Sequence, residues 1–249
     1  MTQLFVKETG PAGAPALLFI HGWTCTHETM APLTARFEKG YRCIAVDLLG
    51  HGASPKASRY TINEQADAIS QTLGDTSEAV AIGHSMGGQI ALELAARGSV
   101  QASVLLDPAP IVPHEKARQW GEDMRVQLKK VNIPAMMGAF ARNQFRRASD
   151  PEIVDALVET MQACPGDVVI GAWDGIMDFD GPAALERLVR PTLAIFADKP
   201  LNDVRSFAKA SKFIETAQTA CSGHMQQLEV PDQLEAMIRR FMTLNCRKV

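Results

Sequence analysis

Short apolar runs alternate with helical stripes along most of the chain. Residues 16–20, 41–46, 79–82, 104–106 and 191–196 are nearly continuous apolar stretches of strand length, the pattern of strands buried on both faces. Residues 4–8 read as an edge strand ended by Gly10-Pro11-Ala12-Gly13, and residues 213–216 give only a faint strand signal. Between these runs apolar positions recur at helical spacing. Residues 30–37 form one such segment. In residues 62–73, Ile62, Ala66, Ile69 and Leu73 share a face that Thr61 or Asn63 can cap. Leu234, Met237, Ile238, Phe241 and Met242 form the stripe of a closing helix. Strands alternating with helices predict an α/β fold, a mostly parallel doubly wound sheet.

The rhythm breaks between residues 111 and 180. Here every stripe is helical: Trp120, Met124, Leu128 and Val131, then Ile153, Leu157 and Met161, then Val169, Trp173, Ile176 and Met177. Such a stretch is too long for a simple crossover. It predicts a helical cap, residues 111–180, inserted into a core made of residues 1–110 and 181–249.

Composition narrows the function classes. A chain of 249 residues accommodates one large domain with an insertion. The net charge of −3 gives no electrostatic reason to expect nucleic acid or an anionic membrane as partner. The five cysteines are scattered and none forms a C-x-x-C pair, so neither a disulfide framework nor a zinc site is predicted. The first ten residues are polar, unlike a signal peptide, and no apolar run is long enough to span a membrane. The expectation is a cytoplasmic protein acting on a small molecule, with no metal and no cofactor, its oligomeric state left open.

The candidate chemistry centres on Gly83-His84-Ser85-Met86-Gly87-Gly88, which lies between an apolar run and a helical stripe. Gly83, Ser85 and Gly87 fit G-x-S-x-G, a sharp strand-to-helix turn that exposes a serine oxygen above the sheet edge. Small neighbours let that turn close, and the following helix start points N–H groups at any anion formed there. A serine alcohol needs a base, and the base an orienting acid. Of the six histidines only His224, in Ser222-Gly223-His224-Met225, falls after the last strand and before the last helix. His27 and His114 read as exposed loop residues, His21 and His51 as backbone-bonded turn residues, and His84 as a packing residue.

His21-Gly22-Trp23, the turn Asp47 to Ser54 with Gly50-His51-Gly52, the Ser85 elbow and Gly223-His224 occur in an order and spacing that resembles the α/β-hydrolase superfamily, over about two-thirds of the chain. The resemblance implies Ser85 as nucleophile, His224 as general base, and an oxyanion hole from the backbone N–H groups of Trp23 and Met86. The acid departs from the usual pattern. Most members carry it after the strand that follows the cap, where this chain has Ala197-Asp198-Lys199-Pro200 and then Asp203. Other members carry it after the strand that follows the elbow, where Asp107 stands. Asp107 is favoured because it follows its strand directly and is held by Pro108; Asp203 is the alternative acid, with Asp198 behind it.

These residues support three readings. The first is a serine hydrolase of a small carboxylic ester or lactone acting through an acyl-enzyme. Cap residues Met136, Met137, Phe140, Phe145, Trp173 and Met177 would line its pocket, and Arg142, Arg146 or Arg147 could meet a substrate carboxylate. The second is a cofactor-free ring-cleaving dioxygenase, which the resemblance also covers. Trp23 and Asp107 fit it, and there the histidine deprotonates the substrate. The third is a hydrolase-like small-molecule receptor with little turnover.

Overall fold

The computed structural model describes residues 3–146 and 149–246. Seven strands form one sheet in the order β1-β3-β2-β4-β5-β6-β7. They are β1 (Val6–Thr9), β2 (Ala16–Ile20), β3 (Arg42–Val46), β4 (Val80–His84), β5 (Ala102–Leu106), β6 (Thr192–Phe196) and β7 (Ile214–Gln218). Only β1 runs antiparallel, against β3; every other pairing is parallel. The strand order reverses between β2 and β4, and the crevice at such a reversal is where open α/β sheets bind ligands.

The central strands are apolar on both sides because both sides are covered. Leu17 and Phe19 of β2 join one core cluster with Val80, Ile82, Val104 and Leu106. Leu18 and Ile20 join the other with Ala81, Leu105, Ala194 and Phe196. This two-sided burial removes the alternation of a half-exposed strand. The edge strand β7 is mostly exposed and does not alternate: only Ile214 and Ala217 are half-buried, three residues apart and so on opposite faces, which explains its faint signal in the sequence.

Eleven α-helices are present among the described residues. The predicted helix over residues 30–37 is instead a 3-10 turn, His27–Met30, running into the short α1 (Ala31–Thr34). The stripe itself is buried at Met30, Leu33 and Phe37. Helix α2 (Ile62–Leu73) is capped by Thr61: its hydroxyl accepts from the Glu64 N–H at 3.2 Å, and the Glu64 carboxylate accepts from the Thr61 N–H at 3.1 Å. Such a cap contributes about 1 kcal/mol. Helix α3 (Met86–Ala96) follows β4 and is buried along its whole length.

Between β5 and β6 lie α4 (Glu115–Leu128), α5 (Ile133–Arg142), α6 (Pro151–Ala163), α7 (Gly166–Met177) and α8 (Gly181–Glu186). Met124, Leu128, Met137, Leu157, Met161, Val169, Trp173 and Ile176 from these helices join the core cluster on one face of the sheet. The chain ends with α9 (Val204–Lys209), α10 (Gln226–Glu229) and α11 (Pro231–Asn245). None of these helices is long and apolar enough to cross a membrane.

Candidate active site

The turn between β4 and α3 puts Ser85 at φ 52° and ψ −114°, a conformation that strains a non-glycine residue by about 1–3 kcal/mol. The neighbours make it feasible. A side chain at Gly83 would collide with the Gly87 carbonyl, and one at Gly87 with the carbonyls of Ile20 and His21. The Ser85 N–H donates to Leu106 O at 3.0 Å, and the Ser85 carbonyl accepts from Gly88 N–H at 2.8 Å and Ala109 N–H at 3.0 Å. Ser85 is half-buried, and its hydroxyl makes no hydrogen bond among the described residues.

Two backbone donors flank it. Met86 is the first residue of α3, so its N–H has no partner within the helix. Trp23 follows β2, and neither its N–H nor that of Met86 donates to any other group among the described residues. The Trp23 loop is fixed from two sides. The indole N–H of Trp23 donates to Val169 O of α7 at 3.0 Å. His21 lies fully buried beneath: its Nδ1–H donates to Gly22 O at 2.8 Å and its Nε2 accepts from Leu48 N–H at 3.0 Å. Burial, aided by the neighbouring His51, pushes the His21 pKa down to about 3. Both ring nitrogens therefore keep one fixed role.

Asp107 ends β5 at φ 38°, a region that aspartate tolerates better than most residues. Its Oδ2 accepts from His224 Nδ1–H at 2.6 Å, and its Oδ1 from the Ala197 N–H at 3.2 Å. The Asp107 side chain is 4% exposed and that of His224 20%. With Nδ1 donating, Nε2 of His224 is left as the basic nitrogen. Ser85, Asp107 and His224 line one cavity of about 460 Å³, together with Gly22 and Trp23.

The other two aspartates are placed differently. Asp203 is the N-cap of α9; its Oδ1 accepts from the Ser206 N–H at 2.7 Å. That bond holds its carboxyl below the usual range and leaves it apart from His224, because the loop starts a helix instead of folding back. Asp198 pairs with the Arg146 guanidinium at the rim of the cavity.

Other histidines have definite partners. His27 is half-buried and not an exposed loop residue: both its N–H and its Nδ1–H donate to Asp47 Oδ1, at 2.7 and 2.8 Å. Burial alone would raise the Asp47 carboxyl, but these bonds and the Ala53 N–H hold it below its usual value. His51 donates from Nδ1 to Leu49 O at 3.0 Å, and burial pushes it down to about 4. His114 is exposed and caps α4. His84 packs on the His224 ring, with centroids 4.7 Å apart, and its Nε2–H donates to the His224 carbonyl at 2.9 Å. It is thus a support for His224 as well as a packing residue.

Part of the cavity wall is aromatic. All three tryptophans line it with Phe140. Trp23 and Trp173 are 4.6 Å apart, Trp120 and Trp173 5.4 Å, and Trp23 and Phe140 5.4 Å. Cys25 also lines it; burial pushes its thiol up to about 12, so it is not a nucleophile. Met161, Phe145 and Arg146 contribute, whereas Met136, Met137, Met177 and Arg142 do not; Arg142 pairs with Asp155 at 2.9 Å. Arg147 lies outside the described residues. No group of side chains that could hold a metal is present among the described residues.

Sequence reasoning missed Asn202. Its Nδ2 donates to Pro108 O at 2.8 Å, and its Oδ1 accepts from the Ile111 and Val112 N–H groups at 2.7 and 2.8 Å. It braces the loop that carries Asp107. Nothing in the sequence distinguishes this asparagine from an ordinary turn residue.

Comparison with known proteins gives one consistent picture. The profile of the alpha/beta hydrolase family matches residues 17–237. The chain is 30% identical to the lipase LipV of Mycobacterium tuberculosis, covering 95% of this chain and 97% of the relative. It is 28% identical to a pimeloyl-acyl-carrier-protein methyl ester esterase of Nitrosospira multiformis, covering 96% and 98%. Among solved structures, the enol-lactonase of Burkholderia xenovorans superposes with a TM-score of 0.85 at 19% identity, over 97% of each chain.

Proposed function

This chain belongs to the alpha/beta hydrolase family, and we propose that it is a serine hydrolase of a small carboxylic ester or lactone, working through an acyl-enzyme on Ser85. The observation that carries the reading is the 2.6 Å bond from His224 Nδ1–H to the buried Asp107 carboxylate, in the cavity that exposes Ser85. Ser85 Oγ attacks the substrate carbonyl and its proton passes to His224 Nε2. Asp107 holds the imidazolium that forms. The Trp23 and Met86 N–H groups meet the oxyanion, each worth on the order of 3 kcal/mol in the transition state. The imidazolium then protonates the leaving alkoxide, and water activated by the same histidine releases the acid. The names of the lipase and esterase relatives support ester substrates.

The helices of residues 111–180 act in this reading as a cap. Their aromatic wall of Trp120, Phe140 and Trp173 receives the apolar part of the substrate, and the rim near Arg146 and Lys199 the polar part. Labelling with a fluorophosphonate, with loss of label and of p-nitrophenyl acetate hydrolysis in Ser85→Ala, tests the mechanism. Substantial hydrolysis by purified Ser85→Ala overturns it. Asp107 on His224 also suits cofactor-free ring cleavage, in which His224 removes a substrate proton and Ser85 does not attack. Oxygen uptake with a hydroxyquinolone, undiminished in Ser85→Ala, would establish that reading in place of hydrolysis.

A further inference from the structure

Four atoms define the pose of His224, and three of them are bonded to different parts of the chain. Nδ1–H is on Asp107 after β5, and the carbonyl accepts from His84 Nε2–H on β4. The backbone N–H donates to Gln144 O at 2.8 Å, in the loop between α5 and α6. Only Nε2 is left for chemistry. The bond to Gln144 joins the base to the helical segment, so whatever fixes that loop also fixes the histidine.

One side chain fastens the loop at this place. Glu229, half-buried at the end of α10, accepts with Oε2 from the Gly223 N–H at 2.7 Å. Its Oε1 accepts from the Arg146 N–H at 2.9 Å and from the Ser149 hydroxyl at 2.6 Å. One carboxylate thus ties the residue before His224 to Arg146 and to Ser149. Bonds from N–H groups to a carboxylate are stronger than neutral ones. The fit is close: a side chain at Gly223 would lie 2.5 Å from Gln144 O and 2.9 Å from both Arg146 N and Glu229 Oε2. The glycine before the histidine makes room for the loop.

We propose that Glu229 is a positioning residue for His224: its carboxylate locks Arg146 and Ser149 onto the Gly223-His224 backbone and so holds the base in line. The consequence for turnover rests on the acyl-enzyme reading; the consequence for the pose of His224 does not. In Glu229→Gln one oxygen becomes an NH2 group, which cannot accept. One side of the lock is lost while size and packing are kept.

The test measures p-nitrophenyl acetate kinetics per Ser85 site titrated with a fluorophosphonate, and the downfield NMR proton shared by His224 Nδ1 and Asp107 Oδ2. That proton is identified by its loss in Asp107→Ala. Glu229→Gln is expected to lower kcat per titrated site at least tenfold, to leave KM within threefold, and to shift or broaden the proton resonance. Ser149→Ala, which removes one of the three bonds, is expected to lower kcat two- to fivefold with KM unchanged. A kcat per site within twofold of wild type in Glu229→Gln, or an unchanged resonance, overturns the proposal. So does a fall in the titratable fraction alone, the mark of a merely structural residue. Should Glu229→Gln not fold, an unchanged kcat in Ser149→Ala overturns it. Failure of wild type to label refutes the acyl-enzyme reading separately, and the resonance then decides the role of Glu229.

Discussion

Replacing Asp107 by asparagine tests the site at its most specific point. The carboxylate uses its two oxygens differently: Oδ2 accepts from His224 Nδ1–H at 2.6 Å and Oδ1 from the Ala197 N–H at 3.2 Å. An asparagine has one acceptor and one donor group to place in these two positions. If its NH2 faced Ala197, two donors would meet in a buried site, at a cost of about 1–3 kcal/mol. Its oxygen therefore faces Ala197 and its NH2 faces Nδ1. Nδ1 must then accept, the proton moves to Nε2, and Nε2 can no longer take the Ser85 proton. Every polar atom remains paired, so the fold loses little while the base is in the wrong tautomer. In a Ser-His-Asp protease the corresponding change lowers kcat about 10⁴-fold, about 5.5 kcal/mol in the barrier. We expect Asp107→Asn to lower kcat for p-nitrophenyl acetate by three to four orders of magnitude, with a melting temperature within a few degrees of wild type. Asp203→Asn is the control. Asparagine caps a helix about as well as aspartate, so activity should stay within threefold. A rate for Asp107→Asn within tenfold of wild type, or a collapse of activity in Asp203→Asn, would refute the reasoning.

Ser85→Ala and His224→Ala should each abolish hydrolysis, and the double variant should be hardly slower than either, since groups acting as a unit are not additive; a further hundredfold drop in the double variant contradicts this. Trp173 and Phe140 line the cavity, so shortening either should change the ratio of kcat/KM between short and bulky acyl esters; an unchanged ranking with lowered stability would make them core residues only. The buried histidines predict acid sensitivity: His21 is pushed to about 3 and His51 to about 4, and His84 lies well below its usual value, in each case chiefly by burial. The unfolded chain, with histidines near 6.5, then binds more protons than the folded one between pH 6.5 and about 4. Stability is fully present above 6.5 and falls as pH drops, by up to about 4 kcal/mol per pH unit for three protons. Urea midpoints that stay constant from pH 7 to pH 5 would contradict it.

The fold was readable where structure is local. The apolar runs mark β2, β4, β5 and β6 because those strands are covered on both faces, and the elbow announces itself because a strained strand-to-helix turn needs small residues on both sides of Ser85. The rest depends on contacts between distant parts of the chain. The carboxylate that His224 meets is 117 residues away, and Asp107 and Asp203 both stand on loops at the same sheet edge. What separates them is that Asp203 starts a helix, a six-residue element too short to leave a clear period. Asn202, His84 and Glu229 are equally hidden. Each is a single polar residue whose role is set by the backbone groups it reaches, at separations of 94, 140 and 83 residues.

The strain at the sheet edge explains why these supports are needed. Ser85 and Asp107 end adjacent parallel strands, and both take positive φ, 52° and 38°. Each conformation costs about 1–3 kcal/mol, so neither would persist alone. The two kinks hold one another: Ser85 N–H donates to Leu106 O at 3.0 Å, and the Ser85 carbonyl accepts from Ala109 N–H at 3.0 Å. Asp107 N–H is in turn bonded to Ile195 O of β6 at 2.8 Å. Ser85 and Asp107 therefore form one rigid unit built on β4, β5 and β6. His224 is different. It comes from a loop after the edge strand β7, with no ladder to hold it, and it must meet that unit to within tenths of an ångström. Its bonds to His84, Asp107 and Gln144 supply the rigidity that the sheet gives the other two. Of these three, only the bond to Gln144 leaves the sheet for the helical segment, so it alone ties the pose of His224 to those helices.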